Sequence, residues 1–331
     1  MRYLGSKTLL LESILNITRS YSEGGVFCDP FGGIGTVGSY MKKNGYQILS
    51  GDILYFAHCF QVALIVQNQA FSCGNLKKEY GISSGKELSE YLNRLKPKDG
   101  WLVQEYARER LFLTIENAAC IQACIDCIWE WKNTHIIDEE QYNVMIASLI
   151  HCMDKVANTA GTYYAYLKHY YRKALCKFQY QLLEPIVGTE KNRALLMDAG
   201  ELVRTNQCDI LYLDPPYNAR NYGRYYHLPQ NIAMQRIPKP AGKSGMDASQ
   251  SGMSDYNQKE KAVDAFKQLI ANARTGCIIF HYTDKGLIDM EDAREILRKK
   301  GDLEEFYFDC KGYHTTNRSK PSQHHVMKVT F

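Results

Sequence analysis

Val26-Phe27-Cys28-Asp29-Pro30-Phe31-Gly32-Gly33-Ile34-Gly35-Thr36 is the stretch that decides the fold. Residues 26–28 form a short apolar run of strand type. Gly32, Gly33 and Gly35 then permit a tight turn and a close approach of a ligand to the backbone. Residues 37–44 have helical character and stop at Gly45. Residues 46–50 read as a second strand, which ends in Gly51-Asp52. Strand, glycine loop, helix, strand and acid make the opening half of a doubly wound, nucleotide-type sheet. The spacing Gly-Gly-x-Gly is not the dinucleotide phosphate fingerprint, and no Lys-Ser/Thr pair follows, which argues against a P-loop. Asp52 stands where an acid can bind ribose hydroxyls. Asp29 stands where it could meet a cationic group such as an amino acid's ammonium.

Outward from this stretch, Leu10, Ile14 and Ile17 fall on one face of a helix before the first strand. From about residue 70 to 188, helical periods dominate: 91–95, 105–131 and 139–156. Strand signals return at 194–198, 209–213 and 277–280, and an antiparallel pair is expected from 305–308 and 326–329. Helices are expected over 261–273 and 291–299. Residues 239–258, rich in Gly, Ser, Lys and Asp, read as a long mobile loop. The fold predicted is α/β, with a mixed, mostly parallel sheet. Residues 1–69 and 190–331 form a discontinuous core, and residues 70–189 a mostly helical insertion.

The 331 residues are 45% hydrophobic and 23% charged, which excludes a disordered or fibrous chain. No run approaches the length of a membrane span, and the N-terminal stretch lacks the features of a secretory signal. The 11 cysteines, odd in number and scattered, favour reduced cytoplasmic thiols over a disulfide framework. A net charge of +4 requires any basic surface to be local. Tyr outnumbers Phe by 24 to 12, which suits half-buried surfaces that meet a polar partner.

Asp214-Pro215-Pro216-Tyr217 follows the most apolar strand, at the C-terminal edge where open α/β sheets bind ligands. The two prolines fix the backbone and remove two N–H groups. A carboxylate and carbonyls remain beside an aromatic ring. Such a pocket accepts hydrogen bonds from an amine on a flat ring and stacks the ring on Tyr217.

Together with Asp29-Pro30-Phe31-Gly32-Gly33-Ile34-Gly35 and Arg2-Tyr3-Leu4-Gly5-Ser6-Lys7, this motif resembles those of the DNA adenine methylases, which transfer a methyl group from S-adenosylmethionine to the exocyclic amine of adenine. The motif order is similar to the alpha-type group, with the target-recognition insertion ahead of Asp-Pro-Pro-Tyr. Residues 157–163, 217–222 and 281–286 also look like family signatures. The resemblance implies a Rossmann-like methyltransferase core interrupted by a helical target-recognition domain. It implies that Tyr3, Gly5 and Lys7 line the cofactor's methionine end, and that Asp29, Phe31, Gly32 and Gly35 form the cofactor loop. Asp52 would take the ribose hydroxyls and Asp198 the cofactor's adenine. Asp214 and the Pro215 carbonyl would bind the target amine, next to Pro216, with Tyr217 stacking on a flipped base. Duplex DNA is the implied partner, in restriction–modification or DNA marking, with room for a cognate restriction endonuclease. The setting would be the prokaryotic or phage-infected cytoplasm.

Lys168, Arg172, Lys173, Arg220, Arg224, Arg318 and Lys320 are the candidate DNA contacts, because basic residues there mix with aromatics or flank the motifs. The same pocket type leaves open methylation of an amine in RNA or of a protein glutamine, and an inactive DNA-binding module. No metal is expected. Cys120, Cys124 and Cys127 have the spacing of an iron–sulfur site but are expected to be buried thiols on a helix. His314, His324 and His325, with Cys310, are expected to lie in exposed loops.

Overall fold

The computed structural model describes residues 1, 3–188, 191–247, 254–310 and 322–331. The chain divides into two compact units. The sheet unit comprises Lys7–Ile53, Gly188–Asn221 and Gly252–Phe331. The helical unit comprises Met1–Ser6, Leu54–Val187 and Tyr222–Ser251. In chain order the strands are β1 (Val26–Asp29), β2 (Gln47–Asp52), β3 (Arg193–Leu196), β4 (Ile210–Leu213), β5 (Pro240–Ala241), β6 (Met246–Asp247), β7 (Cys277–Thr283), β8 (Asp302–Cys310) and β9 (Ser322–Thr330).

Among the described residues seven strands form the sheet, in the order β3-β2-β1-β4-β7-β9-β8. The first five are parallel. β9 runs antiparallel to β7 and to β8, as the expected final pair requires. Every residue of β4 and β7 is buried, so these strands read as continuous apolar runs without alternation. One face of the sheet carries Leu49, Leu211, Ile278 and Phe280 against Leu202, Phe266 and Leu269 of the covering helices. Gly51 lets this packing come close: a Cβ at this position would stand 2.4 Å from Leu202 Cδ1, so the end of that side chain on the helix Ala199–Thr205 would have to turn aside.

The order reverses between β1 and β4, since β1 leads to β2 and β3 on one side and β4 to β7 on the other. Such a reversal opens a crevice at the C-terminal strand ends. Asp29 ends β1, and Asp214 follows β4.

The helical unit contains the helices Tyr55–Gln61, Ile115–Asn133 and Glu139–Val156. Asp138 and Gln141 cap the last of these reciprocally. The division departs from the expected boundaries at 69 and 190. Residues 55–66 are apolar on several faces (Phe56, Ala57, Cys59, Phe60, Ala63 and Ile65 are buried) and pack on the helix Glu139–Val156, which places them in the helical unit. Residues 222–251 join it too. The helix expected over 105–131 is broken: a wide turn at Gln104–Arg108 precedes a new start at Ile115, where the Thr114 side chain accepts from Asn117 N–H.

The stretch 239–258, expected to be a mobile loop, is folded where it is described. β5 and β6 pair antiparallel, and Tyr106 Oη donates to Gly245 O at 2.7 Å. Asp255–Asn257 is a short 3-10 turn with Tyr256 and Asn257 buried. No helix among the described residues is long and apolar enough to cross a membrane.

Candidate active site

Asp29 is 2% exposed. Its Oδ1 accepts a 3.3 Å hydrogen bond from Phe31 N–H. Burial, reinforced by the nearby Asp214, pushes its carboxyl up to about 8, against the pull of the Phe31 bond. The glycine loop follows. Gly33 and Gly35 both have positive φ, at 50° and 77°. Gly35 stands at the start of the helix Thr36–Lys43, which has no side-chain cap. Gly33 N–H donates to Asp52 Oδ2 at 3.0 Å, and Gly32 N–H to Gly51 O at 2.9 Å. The end of β2 thus holds the loop that follows β1.

Asp198 follows β3 and is exposed. Its Oδ1 accepts from Gly200 and Glu201 N–H, so it caps the helix Ala199–Thr205.

At the end of β4, Asp214 Oδ2 lies 2.5 Å from Lys7 Nζ. Burial raises the Asp214 carboxyl and Lys7 opposes that rise. The Lys7 ammonium also stands 5.7 Å from the centroid of the Tyr217 ring. Tyr217 meets the edge of Tyr282 at 6.4 Å. Pro215 is buried and Pro216 half-buried. Beneath this end of the sheet, Tyr212 Oη and His281 Nδ1 lie 3.0 Å apart, and His281 Nε2 and His324 Nδ1 2.9 Å apart. Burial lowers the pKa of both histidines.

Lys7, Asp29, Phe31, Gly32, Gly35, Asp52, Asp198, Asp214, Pro215, Pro216 and Tyr217 therefore all belong to the sheet unit. Tyr3 and Gly5 belong to the helical unit. There the Tyr3 ring stacks on Tyr226 at 4.9 Å and tilts against Phe56. Lys168, Arg172, Lys173 and Arg224 are in the helical unit and Arg220 in the sheet unit. Lys168, Arg172, Arg220 and Arg224 are exposed, and Lys173 Nζ donates to Asp154 O at 3.4 Å. Arg318 and Lys320 lie outside the described residues, as does His314.

Two residues at the site were not found from sequence. Tyr256 is buried, packs edge-on against Phe31 at 4.9 Å, and its hydroxyl has no hydrogen-bond partner among the described residues. Asn257 donates from Nδ2 to Asn218 O at 2.9 Å, directly after Tyr217. Their only sequence signal is the turn-forming Ser254-Asp255 before a helix, which a polar stretch conceals.

Among the described residues no cluster could hold a metal. Burial pushes the Cys127 thiol up to about 12 and the Cys124 thiol further, which favours neutral thiols on their helix. His324 and His325 are not loop residues: both lie in β9, and His325 is buried.

A mostly parallel α/β sheet with a glycine loop after β1, an acid ending β2 and Asp-Pro-Pro-Tyr after β4 defines a Rossmann-like methyltransferase core. The chain is matched over residues 3–296 by the D12 class of N6 adenine-specific DNA methyltransferases, and it belongs to that family. It is 34% identical over 350 residues to the Type II methyltransferase M.NlaIII of Neisseria lactamica, with all of both chains covered. It is 35% identical over 332 residues to the Type II methyltransferase M.FokI of Planomicrobium okeanokoites, covering 98% of this chain and 50% of that one. It is also 34% identical to the modification methylase StsI of Streptococcus sanguinis, covering 90% of this chain and 46% of that one.

Proposed function

We propose that the chain methylates the exocyclic N6 amine of an adenine flipped out of duplex DNA, at a defined site, with S-adenosylmethionine as donor. The observation that carries this reading is the half-buried Asp214 beside Tyr217 at the sheet's reversal point, one strand away from the glycine loop.

The residues present fit such a donor. Asp29 is a buried carboxyl with no ion pair among the described residues, and an ammonium would compensate it. The Tyr256 hydroxyl is a buried polar group without a described partner, beside Phe31. Asp52, at the end of β2, suits ribose hydroxyls while it holds Gly33. The Asp198 carboxylate already caps a helix, so any contact with an adenine ring must share it. When bound, S-adenosylmethionine supplies an electrophilic methyl group on a sulfonium.

The chain's own residues supply position and field. Asp214 and the Pro215 carbonyl accept hydrogen bonds from the target amine. They turn the nitrogen lone pair outward and favour the positive charge that grows there. Tyr217 offers its ring to the extruded base, whose stacking is worth about 1–3 kcal/mol against the cost of extrusion. No cysteine nucleophile is needed. Exposed Lys168, Arg172, Arg220 and Arg224 suit phosphate contacts, and the helical unit, with its exposed Tyr164 and Tyr171, suits target recognition. A restriction endonuclease of the same specificity and a cytoplasmic location complete the reading.

Single-molecule sequencing of DNA from cells that express the protein tests it, because it reports both the modified base and its context. Labelled methyl transfer to duplex DNA, RNA and protein tests the class of acceptor. Transfer to RNA or a glutamine side chain without transfer to DNA would overturn the reading. Binding to DNA should weaken steeply with salt.

A further inference from the structure

After Asp-Pro-Pro-Tyr, and outside the insertion that precedes it, the helical unit builds a small hairpin. β5 and β6 pair antiparallel, Pro240 with Asp247 and Ala241 with Met246, around the turn Gly242-Lys243-Ser244-Gly245. A ribbon this short is not stable by itself. Both ends of its turn are tied to one segment of the same unit. Tyr106 Oη, on a fully buried side chain, donates to Gly245 O at 2.7 Å. Arg110 Nη2 donates to Gly242 O at 3.2 Å, while its Nη1 donates to Glu105 O at 3.1 Å and to Glu105 Oε2 at 2.8 Å. Gly242 and Gly245 have φ of 64° and 61°, and a Cβ on Gly245 would stand 2.7 Å from Arg110 Nε. Tyr106 lies in the wide turn Gln104–Arg108, a type that recurs at functional sites.

What the tied turn presents is a cation. Lys243 is exposed at its tip, and Arg236 and Lys239, also exposed, lead up to the hairpin. A lysine that only neutralises a phosphate works from a flexible stem and needs no fixed backbone. Reading a base edge needs the backbone held in register. Here a buried hydroxyl and a guanidinium both hold carbonyls of the turn. A two-stranded ribbon fits the major groove of DNA, which is about 12 Å wide. An ammonium only donates, so it matches the base edge that only accepts, which is guanine with N7 and O6. Adenine and cytosine put an amino donor there, and thymine a single acceptor beside a methyl group.

We propose that the hairpin 240–247 enters the major groove and that Lys243 reads a guanine of the recognition site. Tyr106 and Arg110 act through the turn and are positioning residues. The inference rests on the reading of the chain as a site-specific DNA methylase given above.

The test uses the full-length protein and labelled methyl transfer to duplexes that carry the site found by sequencing, with each base pair other than the target adenine's replaced in turn. Lys243→Ala should lower kcat/KM on the intact site by about 10- to 100-fold and leave it nearly unchanged on duplexes altered at one G·C pair, so that discrimination at that pair is lost. Discrimination at the other positions should persist. Arg110→Lys, which keeps the charge but not the planar fork, and Tyr106→Phe should each reduce discrimination at the same pair by roughly several-fold. A merely structural role would lower the active fraction and leave the ratio between duplexes unchanged, and that result in both variants would overturn the positioning roles. Equal losses with Lys243→Ala on every duplex, and a salt slope smaller by about one, would make Lys243 a phosphate contact and overturn base reading. Unchanged rates on every duplex, or a site without a G·C pair, would overturn it too. If Arg110→Lys or Tyr106→Phe does not fold, the exposed Lys243 decides. Wild-type protein that transfers methyl to no duplex would sink the underlying reading, whereas a selective wild type whose Lys243→Ala variant keeps its full selectivity sinks the hairpin inference alone.

Discussion

Asp29 and Asp214 stand at the ends of neighbouring parallel strands, and each leads through proline to an aromatic ring, Phe31 in one case and Tyr217 in the other. Their electrostatic treatment is opposite. Asp214 has an ammonium on one oxygen. Asp29 has only a 3.3 Å backbone bond and no ion pair among the described residues. The contrast separates two tasks. In the proposed reading, the carboxylate that accepts from a neutral amine is the one paired with an ammonium, and the carboxyl that receives the donor's cation is the one with no ion pair among the described residues.

The largest effect should come from the paired acid. Asp214→Ala removes the acceptor that the amine needs in the transition state, so single-turnover methyl transfer should fall by about 10²–10³-fold. Binding of S-adenosylhomocysteine, followed by calorimetry, should survive. A variant that lost donor binding and kept its transfer rate at saturating donor would reverse the two assignments.

Asp29→Ala should do the opposite. Donor affinity should fall by roughly 10- to 100-fold, with the saturated rate much less affected. Its pH behaviour sharpens the contrast. The wild-type carboxyl must ionise to hold an ammonium, so donor affinity should rise as pH increases toward about 8. Asp29→Asn should flatten that rise. The sign for stability is reversed. A carboxyl raised in the folded state stabilises the fold most below its unfolded pKa, and that contribution is lost as pH rises to about 8. Asp29→Asn should therefore gain in melting temperature over the wild type between pH 4 and 8, levelling off above. A constant difference across that range would show that Asp29 is ionised throughout.

The two strand ends were legible because each is a contiguous motif. Glycines and prolines carry their backbone meaning within a few residues, and the strands before them are apolar enough to be buried on both faces. What was not legible depends on tertiary contacts. Residues 55–66 follow β2 directly, yet their buried faces pack on a helix formed more than seventy residues later in the chain. The break before Ile115 turns on one threonine cap within a helix-prone sequence. The ion pair of Lys7 joins residues 207 positions apart, so no local pattern could assign its partner. His324 and His325 are polar residues in a strand, placed there by the pairing of β9 with β7.

The aromatic rings extend the comparison at a smaller scale. Tyr217→Ala should weaken base extrusion by roughly tenfold, as the loss of one stacking platform does. Tyr217→Phe should retain most of it, because the face of the ring carries the stacking. The readout is 2-aminopurine fluorescence in the presence of S-adenosylhomocysteine. Donor affinity should not change. Equal losses in the Ala and Phe variants would assign the effect to the hydroxyl instead.

Tyr256→Phe probes the other ring and should give the smallest effect. The hydroxyl is buried beside Phe31, and it has no hydrogen-bond partner among the described residues. Burial, helped by Asp198 and Asp255, keeps it protonated. An unsatisfied buried hydroxyl costs the folded protein about 1–3 kcal/mol, so its removal should raise the melting temperature of the protein without donor. If the hydroxyl bonds the donor, the same change should weaken S-adenosylhomocysteine binding by a few-fold, and the stabilising shift that the analogue confers should shrink. The two signs together distinguish a ligand contact from a packing residue. A variant that is more stable alone and binds the analogue as tightly as the wild type would confine Tyr256 to packing against Phe31, leaving Asp29 as the donor contact at the β1 end.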